Sequence, residues 1–481
     1  MKRALLIIAI LQSSLLATHL TAKVTLPKMF SDNMVIQRET TARLWGTAKP
    51  NTTIRCTLSW TTQQYTTKSD ADGCWQLTVD TPEAGGPHTM TFDDGEKTVI
   101  SNVLVGELWL CSGQSNMEMQ MKGFKAQPVE GAYDDILSSR DDGLRLFTVK
   151  RNSKLAPVDT VYGQWQEAQP ATVRDFSATA YYFGRALRRV LDVPVGLIVT
   201  AWGGSACEAW MTADWLRAFP DAKIPQSQDD IKSKNRTPTL LYNGMLHPLI
   251  GMAMRGVLWY QGEDNVNRYT TYADMLSALI RGWRTEWGIG DFPFYYCQIA
   301  PFDYKTLSKD YRNSALLREQ QARVELNVPN TAMAVLMDAG LEYGIHPRKK
   351  RQAGERLAFL ALKNTYGVGG MPEFARYKEV TFSGDTAVIS FDKSKEWVYF
   401  DRGTTSDNFE AAAADSIFRP AKAWVSNNKV YVTWPDPTDQ DSLQQRVPII
   451  AVRYAFRDYA DGDLFCDGLP VSSFRTDDWP E

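Results

Sequence analysis

The chain of 481 residues is long enough for two or three domains, and its 53 basic residues nearly balance 56 acidic ones. That balance excludes the electrostatic footprint of a nucleic-acid binder or of a protein held on an anionic membrane surface. Apolar residues at 44 % and charged residues at 23 % are ordinary for a globular protein, and aromatics at 11 %, including 15 Trp, are a first hint of carbohydrate.

Residues 1–22 read as a signal peptide: Lys2-Arg3, an apolar stretch from Ala4 to Ala17, and a small residue at Ala22. The stretch is too short to span a bilayer, so a secreted or periplasmic protein without a membrane anchor is expected. Residues 23–102 carry short alternating runs such as Thr53–Leu58 and Trp75–Val79, separated by turn signals such as Asp70-Ala71-Asp72-Gly73, which predicts a small β domain. Cys56 and Cys74 are candidates for a bridge across neighbouring strands.

From 103 to 367 strands and helices alternate. Leu108–Cys111, Leu144–Val149, Val195–Thr200, Val257–Tyr260, Phe292–Ile299 and Ala332–Met337 read as strands. Ala178–Leu191, Tyr272–Trp287, Leu316–Val324 and Arg348–Leu362 read as helices. This predicts an α/β domain with a parallel sheet covered on both faces. Residues 368–481 return to β, with runs such as Thr386–Phe391 and Lys429–Trp434.

Unusual loops follow the strands: Gly113-Gln114-Ser115, Gly203-Gly204 and Gln261-Gly262-Glu263, with His346 in a fourth loop after Asp338. The carboxyl ends of parallel strands share one rim, where such folds bind ligands. Ser115 reads either as a helix N-cap or as a nucleophile. Ester hydrolysis would need the serine, an imidazole to take its proton and donors for the oxyanion. The amides of Ser115 and Gly204 and the Gln261 side chain are candidates for those donors. Only four His occur, one of them in the leader. His88 lies in the β domain, His247 among apolar residues, and His346 is left as the base. There is no CxxC pair or HExxH, so no metal and no cofactor are expected.

Gly113–Met117 (GQSNM), Trp202–Trp210 (WGGSACEAW), Asn243–Leu249 (NGMLHPL), Trp259–Glu263 (WYQGE) and Ile345–Lys350 (IHPRKK) together resemble the sialate O-acetylesterase family of SGNH/GDSL hydrolases. Leu469–Trp479 resembles that family's C-terminal end, so the likeness runs from about 25 to 479. The resemblance implies a three-layer α/β/α domain flanked by β-sandwich-like modules, and a metal-free serine esterase acting on O-acetylated sialic acid. It carries the nucleophile onto Ser115, the base onto His346 and the oxyanion donors onto Gly204 and Gln261. Asn265 is a weaker counterpart of the superfamily's oxyanion Asn, and Glu263, Asn265 and Gln114 fall to substrate positioning.

One position departs from the family. Where it has Asp two residues before the His, this chain has Gly344. Three consequences stand open: a Ser-His pair oriented by a backbone carbonyl, rescue by Glu342 or by Glu263, or reduced activity. The expected partner is an acetylated glycan. An acetylxylan-type esterase and a glycan-binding protein on a degenerate esterase scaffold are the alternatives.

Overall fold

The computed structural model describes residues 23–304, 312–392, 397–435 and 447–480; the expected leader at 1–22 lies outside the described residues. Among these, six parallel strands form the centre. Their order is Thr331–Ala334, Phe294–Cys297, Gly256–Tyr260, Lys97–Gly113, Val195–Ala201 and Asp141–Thr148, with Trp165–Ala168 antiparallel at one edge. Val195–Ala201 and Gly256–Tyr260 are buried at every residue, as strands covered on both faces must be.

Register shows the two covers. Residues aligned between parallel strands share a face, and neighbours along a strand alternate. Trp109, aligned with Leu197 and Gly256, packs on Phe183 and Tyr295. Trp259, aligned with Ser112, points the other way, edge-on to Trp210 and Trp283. Helices Ala178–Leu191 and Lys350–Asn364 therefore lie side by side on the first face, and Tyr272–Trp287 covers the second beside Asn313–Asn327. The result is the expected three-layer α/β/α arrangement.

One strand joins this centre to the N-terminal β region. Lys97–Gly113 alternates between exposed and buried as far as Asn102 and is buried throughout from Val103. Its first part pairs antiparallel with Gly85–Asp93, and its second part pairs with Val195–Ala201 and Gly256–Tyr260. The boundary expected between 102 and 103 thus falls inside a continuous strand. The candidate bridge between Cys56 and Cys74 is not formed. Cys56 is buried on Thr53–Leu58, which pairs with Gln64–Lys68 and Gly85–Asp93, whereas exposed Cys74 opens Cys74–Asp80, which pairs with Thr41–Thr47.

The C-terminal region forms a seven-stranded antiparallel sheet among the described residues. Its tail is fastened to the centre where Gln298 Nε2 donates to Ser472 Oγ (2.7 Å) and Arg318 Nε donates to Ser473 Oγ (3.0 Å). No helix among the described residues is long and apolar enough to cross a membrane.

Candidate active site

Gly113 ends the central strand at φ +132°, and a Cβ there would lie 2.2 Å from Tyr260 O, so only glycine fits this turn. The next residues form the single turn Ser115–Glu118, whose N-cap is Gln114 rather than Ser115. The Ser115 hydroxyl makes no cap bond and no other hydrogen bond among the described residues, and its side chain is buried at the rim. The capping role is therefore absent, and the hydroxyl is free for other chemistry. Ser177 Oγ donates to Met117 O (2.5 Å) and accepts from Ala180 N (3.1 Å), so one hydroxyl caps the helix Ala178–Leu191 and holds the serine turn.

The Gly203-Gly204 loop lies against this turn; a Cβ on Gly203 would stand 3.2 Å from Ser115 Cβ. The Gly203 amide donates to Glu118 Oε2 (2.7 Å), and Glu118 is held by Arg151 through two 2.6 Å bonds. Gly204, at φ +66°, follows in the left-handed conformation. The amides of Ser115 and Gly204 have no acceptor among the described residues, which leaves both able to face a developing oxyanion.

Gln261 differs from expectation. Its Nε2 donates to Ser205 O (3.1 Å) and Asn265 Oδ1 (2.7 Å), and its Oε1 accepts from the Tyr272 hydroxyl (2.8 Å). Both amide hydrogens are spent in a fully buried network, so the oxyanion role expected of Gln261 gives way to support of the Gly204–Ser205 loop. Asn265 is also buried; it accepts from Cys207 N (3.0 Å) and donates to Glu208 Oε2 (3.0 Å). Gln114 Oε1 accepts from the amides of Gly262 (3.3 Å) and Asp264 (3.4 Å), tying two loops together. Asn265 thus braces the site through internal bonds in place of the substrate contact expected of it, whereas Gln114 braces it through Oε1 alone and its Nε2 makes no hydrogen bond among the described residues.

On the other side, Asn116 is a junction. Its Nδ2 donates to Glu263 Oε1 (2.5 Å) and Ile345 O (3.2 Å), and its Oδ1 accepts from Lys350 Nζ. The neighbour of the serine is thereby bonded to the neighbour of His346. Glu263 and Lys350 are buried, and Glu263 Oε2 has no hydrogen-bond partner among the described residues. Burial raises the Glu263 carboxyl above its ordinary range despite Asn116 and Lys350. Burial pushes the Lys350 ammonium down to about 7, against the pull of Glu263. Neither Asn116 nor Lys350 was singled out from the sequence. Lys350 could have been: residues 353, 354, 357 and 361, at helical spacing from it, are all buried.

His346 is half-buried, and its Nδ1 lies 2.5 Å from Gln127 Oε1, with the Phe124 ring edge-on at 5.2 Å. Burial, then the Lys350 charge, push its pKa down to about 4. The ring does not hydrogen-bond Ser115 in this structure, and neither Glu342 nor Glu263 bonds it. Glu342 meets Asp303 only through its backbone carbonyl (3.1 Å), so the rescue expected of that carboxylate is not formed. Asp338 is taken by Arg356 through 2.6 and 2.7 Å bonds. His247 lies in the wall of a separate cavity of about 740 Å³ with Arg43, Trp45 and Trp75, its Nδ1 3.1 Å from Val158 O. No group of three or more His, Cys, Asp or Glu among the described residues is arranged to hold a metal ion.

Comparison with known proteins adds to this geometry. A family model described as a carbohydrate esterase, sialic acid-specific acetylesterase, matches residues 105–363. A solved carbohydrate acetylesterase from Xanthomonas citri superposes with a TM-score of 0.85 at 34 % identity, covering 95 % of this chain and 100 % of that one. The human sialate O-acetylesterase is 29 % identical over 389 residues, 74 % of this chain and 72 % of that protein. The rat sialate O-acetylesterase is 29 % identical over 424 residues, 74 % of each.

Proposed function

This chain belongs to the sialic acid-specific acetylesterase family of carbohydrate esterases, and from that premise we propose that it hydrolyses O-acetyl esters of sialic acid with Ser115 as nucleophile and His346 as base. The observation that carries the reading is the Asn116 amide, which bonds Ile345 O at 3.2 Å and so ties the two loops that bear the reacting groups. Hydrogen bonds between nucleophile and base tighten with substrate in place.

In the first step Ser115 Oγ bonds the acetyl carbon as its proton passes to His346 Nε2. The amides of Ser115 and Gly204 receive the oxyanion. The carbon–oxygen bond to the sugar then breaks, and the sugar oxygen leaves with the proton from the imidazole. Water next attacks the acetyl-enzyme, His346 takes its proton and returns it to Ser115, and acetate departs.

An anionic sugar suits the rim. Arg236 bonds Asp264 Oδ1 through Nε alone (2.6 Å), is 62 % exposed, and its Nη2 stands 3.9 Å from the Cβ position of Gly204. Its outer hydrogens fit a sugar carboxylate. The second reading is an esterase of neutral acetylated glycans such as xylan, favoured by the wider name of the Xanthomonas relative. Export rests on Lys2-Arg3 and the apolar run behind them.

Acetate release from O-acetylated sialic acid, measured beside acetylated xylo-oligomers, tests both readings. The sialate is expected to be the faster substrate, with Ser115→Ala and His346→Ala each lowering kcat by about a hundredfold or more. Turnover of the xylo-oligomers alone would overturn the sialate reading. Turnover surviving both variants would overturn the serine mechanism.

A further inference from the structure

A triad needs a group that holds the imidazole with its proton on Nδ1 and its Nε2 bare, and the residue expected to do so is absent at Gly344. Among the described residues, the group hydrogen-bonded to the ring is the side-chain oxygen of Gln127, 2.5 Å from Nδ1. An amide oxygen only accepts, so Nδ1–H donates to it and Nε2 keeps its lone pair.

The turn carrying Gln127 is built to present it. Phe124 N donates to Gln127 O (3.1 Å) and Gln127 N donates to Phe124 O (3.0 Å), closing residues 124–127 on themselves. Ala126 takes φ +61° to complete the loop. The same turn brings the Phe124 ring edge-on to the imidazole. Two side chains of one tight turn thus meet one histidine that lies 219 residues further along the chain.

We propose that Gln127 is the positioning residue for His346, standing in the place of the triad carboxylate. This rests on His346 being the base. A neutral amide fixes tautomer and ring orientation as a carboxylate does, but it adds no negative charge to stabilise the imidazolium. The charged groups around the ring do not replace that charge. Lys350 acts on it from the helix behind, Glu263 is held across Asn116, and Lys125 is exposed on the turn. The enzyme therefore keeps the orientation of a triad and gives up its electrostatic part.

The test is steady-state hydrolysis of p-nitrophenyl acetate against pH, which does not depend on the sugar. Gln127→Met is expected to lower kcat by about tenfold or more with KM within about twofold. Gln127→Glu is expected to move the acid limb of kcat/KM to higher pH, because a carboxylate favours the protonated ring. Gly344→Asp is expected to restore kcat in the Gln127→Met background. A Cβ at 344 meets only the Leu341 side chain, at 3.2 and 3.5 Å, so a slight shift of that side chain admits a residue larger than glycine. Wild-type kcat and pH profile in Gln127→Met, with His346→Ala inactive, would overturn the role of Gln127 alone. Wild-type turnover in His346→Ala would remove the reading beneath it.

Discussion

The two flanks of Ser115 handle polar groups in opposite ways. On the Gln261 flank every side-chain donor and acceptor of Gln261 is matched within a fully buried cluster that runs through Asn265 to Glu208. On the His346 flank capacity is left over: Glu263 Oε2 has no hydrogen-bond partner among the described residues, Lys350 is buried close by, and the imidazole meets a neutral amide. A saturated cluster can hold a loop but has nothing to offer a substrate. An unsaturated one costs stability and keeps proton-active groups within reach of the chemistry.

The largest way to break this contrast is Lys350→Met, which strands the buried Glu263. It is expected to cost about 3–5 kcal/mol of unfolding free energy in a denaturant titration. Adding Glu263→Gln removes the stranded charge and should recover much of that loss; a neutral effect of Lys350→Met alone would show that the pair carries no such burden.

The pH profile sharpens the contrast next. In the proposed mechanism the base works only when neutral, and burial together with Lys350 holds His346 at about 4. The acid limb of kcat/KM should therefore fall as pH drops through about 4, not through the ordinary histidine value near 6.5. A limb at the ordinary value would mean that His346 is neither so buried nor so close to the cation.

The smallest effect is expected on the saturated flank. Gln261→Leu leaves Ser205 O short of a partner, while the Tyr272 hydroxyl keeps its bond to the backbone oxygen of residue 261 (3.0 Å), a loss of about 1–3 kcal/mol in stability. Its kcat, measured where the variant is folded, should stay within about tenfold of the parent. A fall of about a hundredfold or more would return Gln261 to the oxyanion hole.

The fold was legible where local signals were strong and agreed. Ala178–Leu191 and Tyr272–Trp287 have the predicted bounds, because a capping serine at 177 and a closing Gly288 bracket clear helical periods. Strands such as Gln64–Lys68 were not legible, since a polar run carries no hydrophobic alternation. Gly85–Asp93 opens on Gly-Gly-Pro, which taken alone signals a turn, yet neighbouring strands draw it into the sheet. At the candidate site, Ser115 and Gly204 stand out by their places behind strands, and His346 by the scarcity of histidine. The partner of His346 does not, because Gln127 reaches it only through tertiary structure, from a turn whose own sequence carries no catalytic mark.

The 17-residue strand Lys97–Gly113 also carries the serine turn at its tip, and it bends midway, where Asn102 takes φ +56° and the pairing with Gly85–Asp93 shifts register. Its other end is woven into the amino-terminal sheet, so one strand joins that sheet to the serine with no intervening loop. Whatever grips that sheet is consequently coupled to the hydroxyl through a single strand and the bulge at Asn102, as a tool is coupled to its handle through one joint.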